Sequence, residues 1–242
     1  MQLLIIRHGD PDYKNDTLTA AGEREAKLLA NVLRNVPIDE IYMSPLGRAR
    51  KTAGYTLEAK GMTAEVLPWL EEFHYAKVTI DPEQGPRLLW DQMPAFYASR
   101  PELFDPSHWT ETDFIRNSNV PDAYRAVIDA LDAFLADHGY ERDGLIYRVR
   151  ESNRKTIAFF CHFGIESVLL SHMLNVSPFA LLNQFCALPT SVTTVVTEER
   201  EKGVAQFRCI GFGSTHHLFA NGVEPSFSAR FCETFDSTDE RH

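Results

Sequence analysis

Arg7-His8-Gly9 follows directly on the apolar run Leu3–Ile6, and Ser44-Pro45 is followed three residues later by Arg48. Glu71-Glu72 comes after a third apolar stretch, and His162 ends a fourth, Thr156–Cys161. Two guanidinium groups, two imidazoles and a carboxyl make a set suited to a phosphate ester. A phosphomonoester dianion needs several fixed positive donors, and Arg7 and Arg48 can each offer paired hydrogen bonds in a planar fork. A nucleophile must then attack phosphorus in line with the leaving oxygen. Neutral imidazole can do this, and passing through a phosphohistidine splits one hard step into two. Positive charge on nearby arginines disfavours imidazolium, so His8 is the expected nucleophile. Glu72, among the apolar Trp69, Leu70 and Phe73, is the expected proton donor to the leaving oxygen. His162, at the start of a helix, can add a donor to the developing charge. Gly9 would let the backbone come close to the phosphate.

Something must hold these residues together, and the chain pattern says what. Leu3–Ile6 is a continuous apolar run of the kind found in a buried parallel strand. Thr17-Leu-Thr19 offers hydroxyl caps to an amphipathic helix reaching about Asn35. Asp39–Met43 reads as a second strand, Pro45 opens a helix to about Lys60, and Thr63–Leu67 reads as a third strand. A helix over Pro121–His138, a strand over Thr156–Cys161 and a helix from about Gly164 to Leu174 follow. Val192–Thr197 and Val204–Ile210, parted by a charged turn, predict a terminal hairpin, and the rest is a surface-wrapping or mobile tail. This alternation predicts an α/β fold: a three-layer α/β/α sandwich with a mostly parallel sheet and a late antiparallel hairpin. Ligands in such sheets collect at the carboxyl ends of strands, where all five residues fall. Residues 73 to 120, rich in proline and aromatics, read as a cap inserted into one domain spanning 1–242.

The net charge of −10 argues against nucleic acid or an anionic membrane surface as a partner, so arginines must attract an anionic substrate locally. Cys161, Cys186, Cys209 and Cys232 show no paired short spacing and read as reduced thiols. With no signal-peptide pattern and no apolar stretch near membrane-spanning length, the expected location is cytoplasmic. A homo-oligomer is possible.

Arg7-His8-Gly9 after the first strand resembles the signature of the histidine phosphatase superfamily, the phosphoglycerate mutase-like proteins. Ser44-Pro-Leu-Gly-Arg48-Ala-Arg-Lys-Thr-Ala53 is similar to its second block, Leu70-Glu-Glu72-Phe-His-Tyr to the block with the proton donor, and Phe160-Cys-His162-Phe-Gly164 to the block with the second histidine. Thr17-Leu-Thr19 and Gly22 match the family's early helix start. The resemblance implies catalytic roles for His8, Arg7, Arg48, His162 and Glu72, with no cofactor and no metal. Two departures stand out. Phe163 replaces the glycine that often follows the second histidine, and Asp10-Pro-Asp-Tyr13-Lys14-Asn15 replaces the Glu-Ser and later Asn of the mutases. No lysine- and arginine-rich segment suited to a doubly phosphorylated sugar acid is evident in the insertion. The resemblance therefore implies a phosphatase acting on a small phosphorylated substrate, with a phosphoglycerate-type mutase as the alternative.

Plainer readings weigh against single residues. Arg-His-Gly alone is often a surface pair, Arg48 alone a solvated helix residue, and His162 alone a core histidine; order and spacing argue otherwise. Arg50, Lys51 and Glu71 keep the solvated reading. Gly9, Phe163, Tyr13, Lys14, Asn15 and Arg87 are the candidates for substrate contact. Asp10-Pro-Asp12 has the flavour of an aspartate-nucleophile phosphatase but lacks a later Gly-Asp partner motif. No cysteine has an arginine six positions on, and Gly211-Phe-Gly213 is no dinucleotide loop. A non-catalytic phospho-ligand binding module would show loss of His8, an arginine or the acid, and none is lost.

Overall fold

The computed structural model describes residues 1–228 and 234–236. Eight strands form one sheet: β1 (Gln2–Arg7), β2 (Glu40–Met43), β3 (Glu65–Val66), β4 (Tyr140–Asp143), β5 (Ile146–Val149), β6 (Thr156–Cys161), β7 (Val192–Glu201) and β8 (Val204–Ser214). Their order is β3-β2-β6-β1-β7-β8-β5-β4. The first four are parallel and the rest antiparallel. The sheet thus has the expected parallel core and late hairpin, and its antiparallel wing is longer than the sequence reading allowed.

Alternation along β1 explains the layers. Leu3 and Ile5 enter one apolar core and Leu4 and Ile6 the other; β6 repeats this, with Ile157, Phe159 and Cys161 against Ala158 and Phe160. Both faces must therefore be covered by helices. On one face lie α1 (Ala20–Leu33) and α2 (Gly47–Lys60), burying Leu29, Leu33 and Ala53. On the other lie α3 (Val120–Asp137), α4 (Phe163–Leu174) and α5 (Pro178–Gln184). Helix α4 carries ten buried residues and is apolar nearly all round, as an inner helix must be.

Residues 73 to 120 form only short helical turns and a two-stranded ribbon, and Phe73, Val78, Leu89, Leu103, Trp109 and Ile115 join the same core as α3 and α4. A hairpin and a helix of the main fold went unread in the sequence. The β4–β5 hairpin turns through Gly144-Leu145, with Gly144 at φ +62°, and a glycine first in a two-residue turn is its signal. Helix α5 starts on the Ser177 cap, which accepts from Phe179 N, with Pro178 in its first turn. The early tail wraps the surface: Leu218 is buried, and Ser226 N donates to Glu25 Oε1 at 3.0 Å. Cys161 and Cys209 are thiols, whereas Cys232 and the last tail residues lie outside the described residues. Among the described residues no helix is long and apolar enough to cross a membrane.

Candidate active site

Strand register brings the candidate residues to one level. Arg7 pairs with Cys161, so His8 lies beside His162, and His8 N donates to Cys161 O at 3.0 Å. On the next strand out, Ser44 N donates to Phe160 O at 2.9 Å, placing Ser44 and the start of α2 at the same height. The centroids of the His8 and His162 rings are 5.0 Å apart.

The hydrogen bonds of His8 decide its tautomer. Nδ1 lies 2.7 Å from Gly9 O, and a carbonyl only accepts, so Nδ1 carries the proton. Nε2 is then bare, and Arg48 Nε donates to it at 3.4 Å. Burial chiefly, then the Arg7 guanidinium, hold His8 well below the ordinary histidine value; Arg48 acts the same way and the Gly9 carbonyl opposes them. His8 is thus a neutral imidazole with its lone pair at Nε2.

His162 caps α4. Its Nε2 lies 2.7 Å from Ser44 Oγ, which also accepts from Leu46 N. Nδ1, the other ring nitrogen, is buried and has no protein partner. Burial is again the main cause of a lowered pKa. Arg7 has a similar surplus: Nη1 donates to Ala187 O at 2.6 Å and Ser228 O at 3.3 Å, while buried Nε has no partner. Buried polar groups are rarely left unpaired, so the Arg7 Nε donor and His162 Nδ1 together mark a place for a polar ligand able to accept from a guanidinium. The loop behind Arg7 is braced by Thr190, whose φ of +57° is unusual for a β-branched residue. Thr190 N donates to His8 O, and its hydroxyl meets His217 Nε2 at 2.9 Å.

Arg48 has a partner that sequence reasoning missed. Asp16 Oδ1 lies 2.7 Å from Arg48 Nη1, and Asp16 Oδ2 accepts from Gly47 N at 2.5 Å. Asp16 reaches both from a backbone φ of +46°, in a loop whose Tyr13 ring lies 5.4 Å from Arg48 Cζ. Asp is one of the few residues that adopts this conformation readily, but nothing in its spacing announces the contact. Tyr13 therefore flanks the cluster. Lys14 is exposed on the same loop, and Asn15 turns back on it, donating from Nδ2 to Asp12 Oδ2.

Glu72 is tied to the end of α4 that His162 caps. Its Oε1 accepts from Phe73 N at 2.8 Å and Ile165 N at 3.0 Å, so an acid proton on this carboxyl belongs on Oε2. A Cβ on Gly164 would come within 2.5 Å of Oε1 and 2.8 Å of the Trp90 ring. Gly164 is what lets both lie over the helix end. Phe163 is buried with its ring edge-on to Trp90 at 6.4 Å, which makes it part of the wall here. Gly9 has a different reason to be glycine from the expected one. A Cβ there would meet Gly22 O at 2.7 Å, and its N–H is spent on Thr52 Oγ1, so close packing with α1 explains it. Arg87 is paired with Asp91 and lines a cavity of about 180 Å³ with Val78, Asp81 and Phe96, and none of the His8 cluster borders that cavity.

A buried neutral imidazole, two guanidinium groups and an anchored carboxyl at the ends of parallel strands form an arrangement fit for a phosphoryl anion. The family model described as histidine phosphatase superfamily (branch 1) matches residues 3–209, and the chain belongs to that superfamily. It is 33% identical over 84 residues to an adenosylcobalamin/alpha-ribazole phosphatase of Salmonella typhimurium, spanning 31% of this chain and only 42% of that relative. A probable phosphatase of Schizosaccharomyces pombe is 26% identical over 238 residues, covering 90% of this chain and 95% of its own. Among solved structures, a phosphoserine phosphatase from Entamoeba histolytica in complex with phosphoserine matches with a TM-score of 0.60. At 19% identity, over 90% of this chain and 98% of that one, this likeness supports the fold.

Proposed function

We propose that this chain hydrolyses a small phosphomonoester by way of a phosphohistidine on His8. The observation that carries the reading is the bare Nε2 of a buried, neutral His8, held by the Nδ1–H···O=C bond to Gly9 and facing Arg48. The Nε2 lone pair attacks phosphorus and the ester P–O bond breaks. Glu72 gives its proton to the departing alkoxide and becomes a carboxylate. Water then attacks the phosphohistidine, Glu72 takes its proton, and the P–N electron pair returns to Nε2. Arg7, Arg48 and His162 hold the equatorial oxygens, where charge gathers in both steps.

Hydrolysis suits the site better than transfer to a second hydroxyl. Residues 73 to 120, proposed here as a cap over the site, hold four Lys and Arg against seven Asp and Glu. Arg87 and Arg116 there pair with Asp91 and Asp113, and Arg100 donates to Phe96 O. A second phosphate or carboxylate on the substrate would find few free cations. The relatives named phosphatases favour the same reading, and the Cys161 and Cys209 thiols suit a cytoplasmic setting.

The test is turnover of a panel of phosphomonoesters with a chelator present, wild type beside His8→Ala. Chelator-resistant release of phosphate, lost in His8→Ala, with a protein-bound phosphoryl group stable to base and labile to acid, is expected. Activity surviving in His8→Ala removes the covalent step, and activity lost with chelator points to a metal enzyme. Interconversion of phosphoglycerates faster than phosphate release would make the chain a mutase. Binding without turnover would make it a binding module.

A further inference from the structure

Glu166 is a second carboxyl, buried one helical turn after His162, and the reaction just described does not use it. It lies in the first turn of α4, its N–H bonded to His162 O at 3.0 Å, and is 1% exposed. Neither of its carboxyl oxygens has a partner at full hydrogen-bond geometry. The Thr193 hydroxyl of β7, which accepts from Gly213 N at 2.9 Å, keeps its own proton to turn towards Glu166 and favours the ionised form. The charged and titratable groups that face Glu166 come from four other directions. Arg7 at the end of β1 favours its ionised form, and Glu72 opposes it. The thiols of Cys161 on β6 and Cys209 on β8 both feel its charge. Among the described residues Arg7 has no carboxylate within ion-pair distance, whereas Arg48 has Asp16.

We propose that Glu166 is a positioning residue that sets how much positive charge Arg7 presents to the phosphoryl group. Neutral, it leaves the guanidinium a full cation whose unpaired Nε meets the substrate. Ionised, it competes electrostatically with the substrate for Arg7. The inference rests on the phosphatase reading for Arg7's role, but its consequence can be seen in binding alone.

Burial, the largest influence, pushes the Glu166 carboxyl up to about 8. Other groups of the cluster titrate elsewhere: His8 and His162 are held low, and the Cys161 and Cys209 thiols are held above their ordinary value. A phosphomonoester, with its second pKa near 6, is already a dianion throughout pH 7.5–9.5. KM should therefore rise with pH across that window. The limit is about 25-fold if the ionised form binds no substrate, while kcat at saturation, which reports Glu72 rather than Glu166, should follow the same pH course in wild type and Glu166→Gln.

The experiment is KM and kcat for a phosphomonoester from pH 7.5 to 9.5 in wild type and Glu166→Gln, which keeps the shape and cannot ionise. Calorimetric titration with inorganic phosphate at the same pH values accompanies it, because binding needs no turnover. The expected result is an alkaline rise in KM and in phosphate Kd for wild type, absent in Glu166→Gln, with the two proteins within about threefold at pH 7.5. A flat wild-type profile overturns the proposal, as does a rise that persists in Glu166→Gln or resides in kcat. Should Glu166→Gln fail to fold, a wild-type phosphate Kd that does not weaken with pH refutes it unaided. Absence of turnover with the pH-dependent phosphate binding intact would sink the phosphatase reading and leave the Glu166–Arg7 coupling standing.

Discussion

Replacing Gly164 with alanine tests whether Glu72 is the acid, without touching any group that bears charge. The new Cβ would lie 2.5 Å from Glu72 Oε1, about 0.9 Å inside ordinary contact, and 2.8 Å from two ring atoms of Trp90. Helix α4 is buried and cannot retreat, so the carboxyl must move. A shift of about 0.9 Å would stretch the 3.0 Å bond from Ile165 N beyond hydrogen-bond range. Misplacement on this scale costs on the order of 100-fold in rate, and loss of general acid catalysis about 10²–10⁴-fold. The loss should depend on the leaving group. An alkyl ester needs the proton, and its kcat should fall about 100-fold or more. An aryl ester with an acidic phenol departs without help and should lose less than about tenfold. The assay is kcat for both substrates in wild type and Gly164→Ala, with thermal melting as a check on folding. Equal losses for the two esters, or none for either, would show that Glu72 does not protonate the leaving oxygen from its place over α4.

Gly22→Ala should destabilise the fold by roughly 1–3 kcal/mol in urea unfolding, because its Cβ would stand 2.3 Å from Asp10 O and 2.7 Å from Asp10 N, where no side chain can yield. A change under about 0.5 kcal/mol would contradict that close crossing. Acid should unfold the protein early. His8 and His162 have folded pKa values below the unfolded value, so the unfolded chain takes protons first and stability falls as pH drops below about 6.5. Each contributes at most about 1.4 kcal/mol per pH unit until its folded pKa is reached; a His8→Gln protein should show a shallower slope from pH 6.5 to 5.5, and an unchanged slope would place His8 among solvated histidines. Phe159→Ala should cost about 3–5 kcal/mol, since its ring is fully buried against Tyr42, Trp69 and Phe134, and a Tm little changed would mean the core closes over the gap.

Much of the fold was legible because its signals are local. The apolar runs of β1 and β6, the Thr19 cap of α1 and the proline before α2 each act within a few residues. Strands β4 and β5 escaped because their half-exposed alternation is weak, although Gly144 marks the turn between them. In the candidate site, His8, Arg7, Arg48, His162 and Glu72 stand out in the sequence because each comes at or just beyond the end of an element. Asp16 and Glu166 do not. Asp16 meets its partner Arg48 only across the fold, and the role proposed for Glu166 likewise depends on Arg7, remote from it in the chain.

The order of residues by itself determined which side chains would stand at the ends of the parallel strands, since a buried strand must stop where its apolar run gives way to charge. It could not determine their protonation or the reason for each glycine. His8 keeps its lone pair at Nε2 only because the folded backbone brings Gly9 O to Nδ1 and buries the ring beside Arg7. Gly9 answers to α1, and Gly164 to Glu72 and Trp90. Such properties arise from solvent exclusion and close approach between distant segments, and these exist only once the layers have packed.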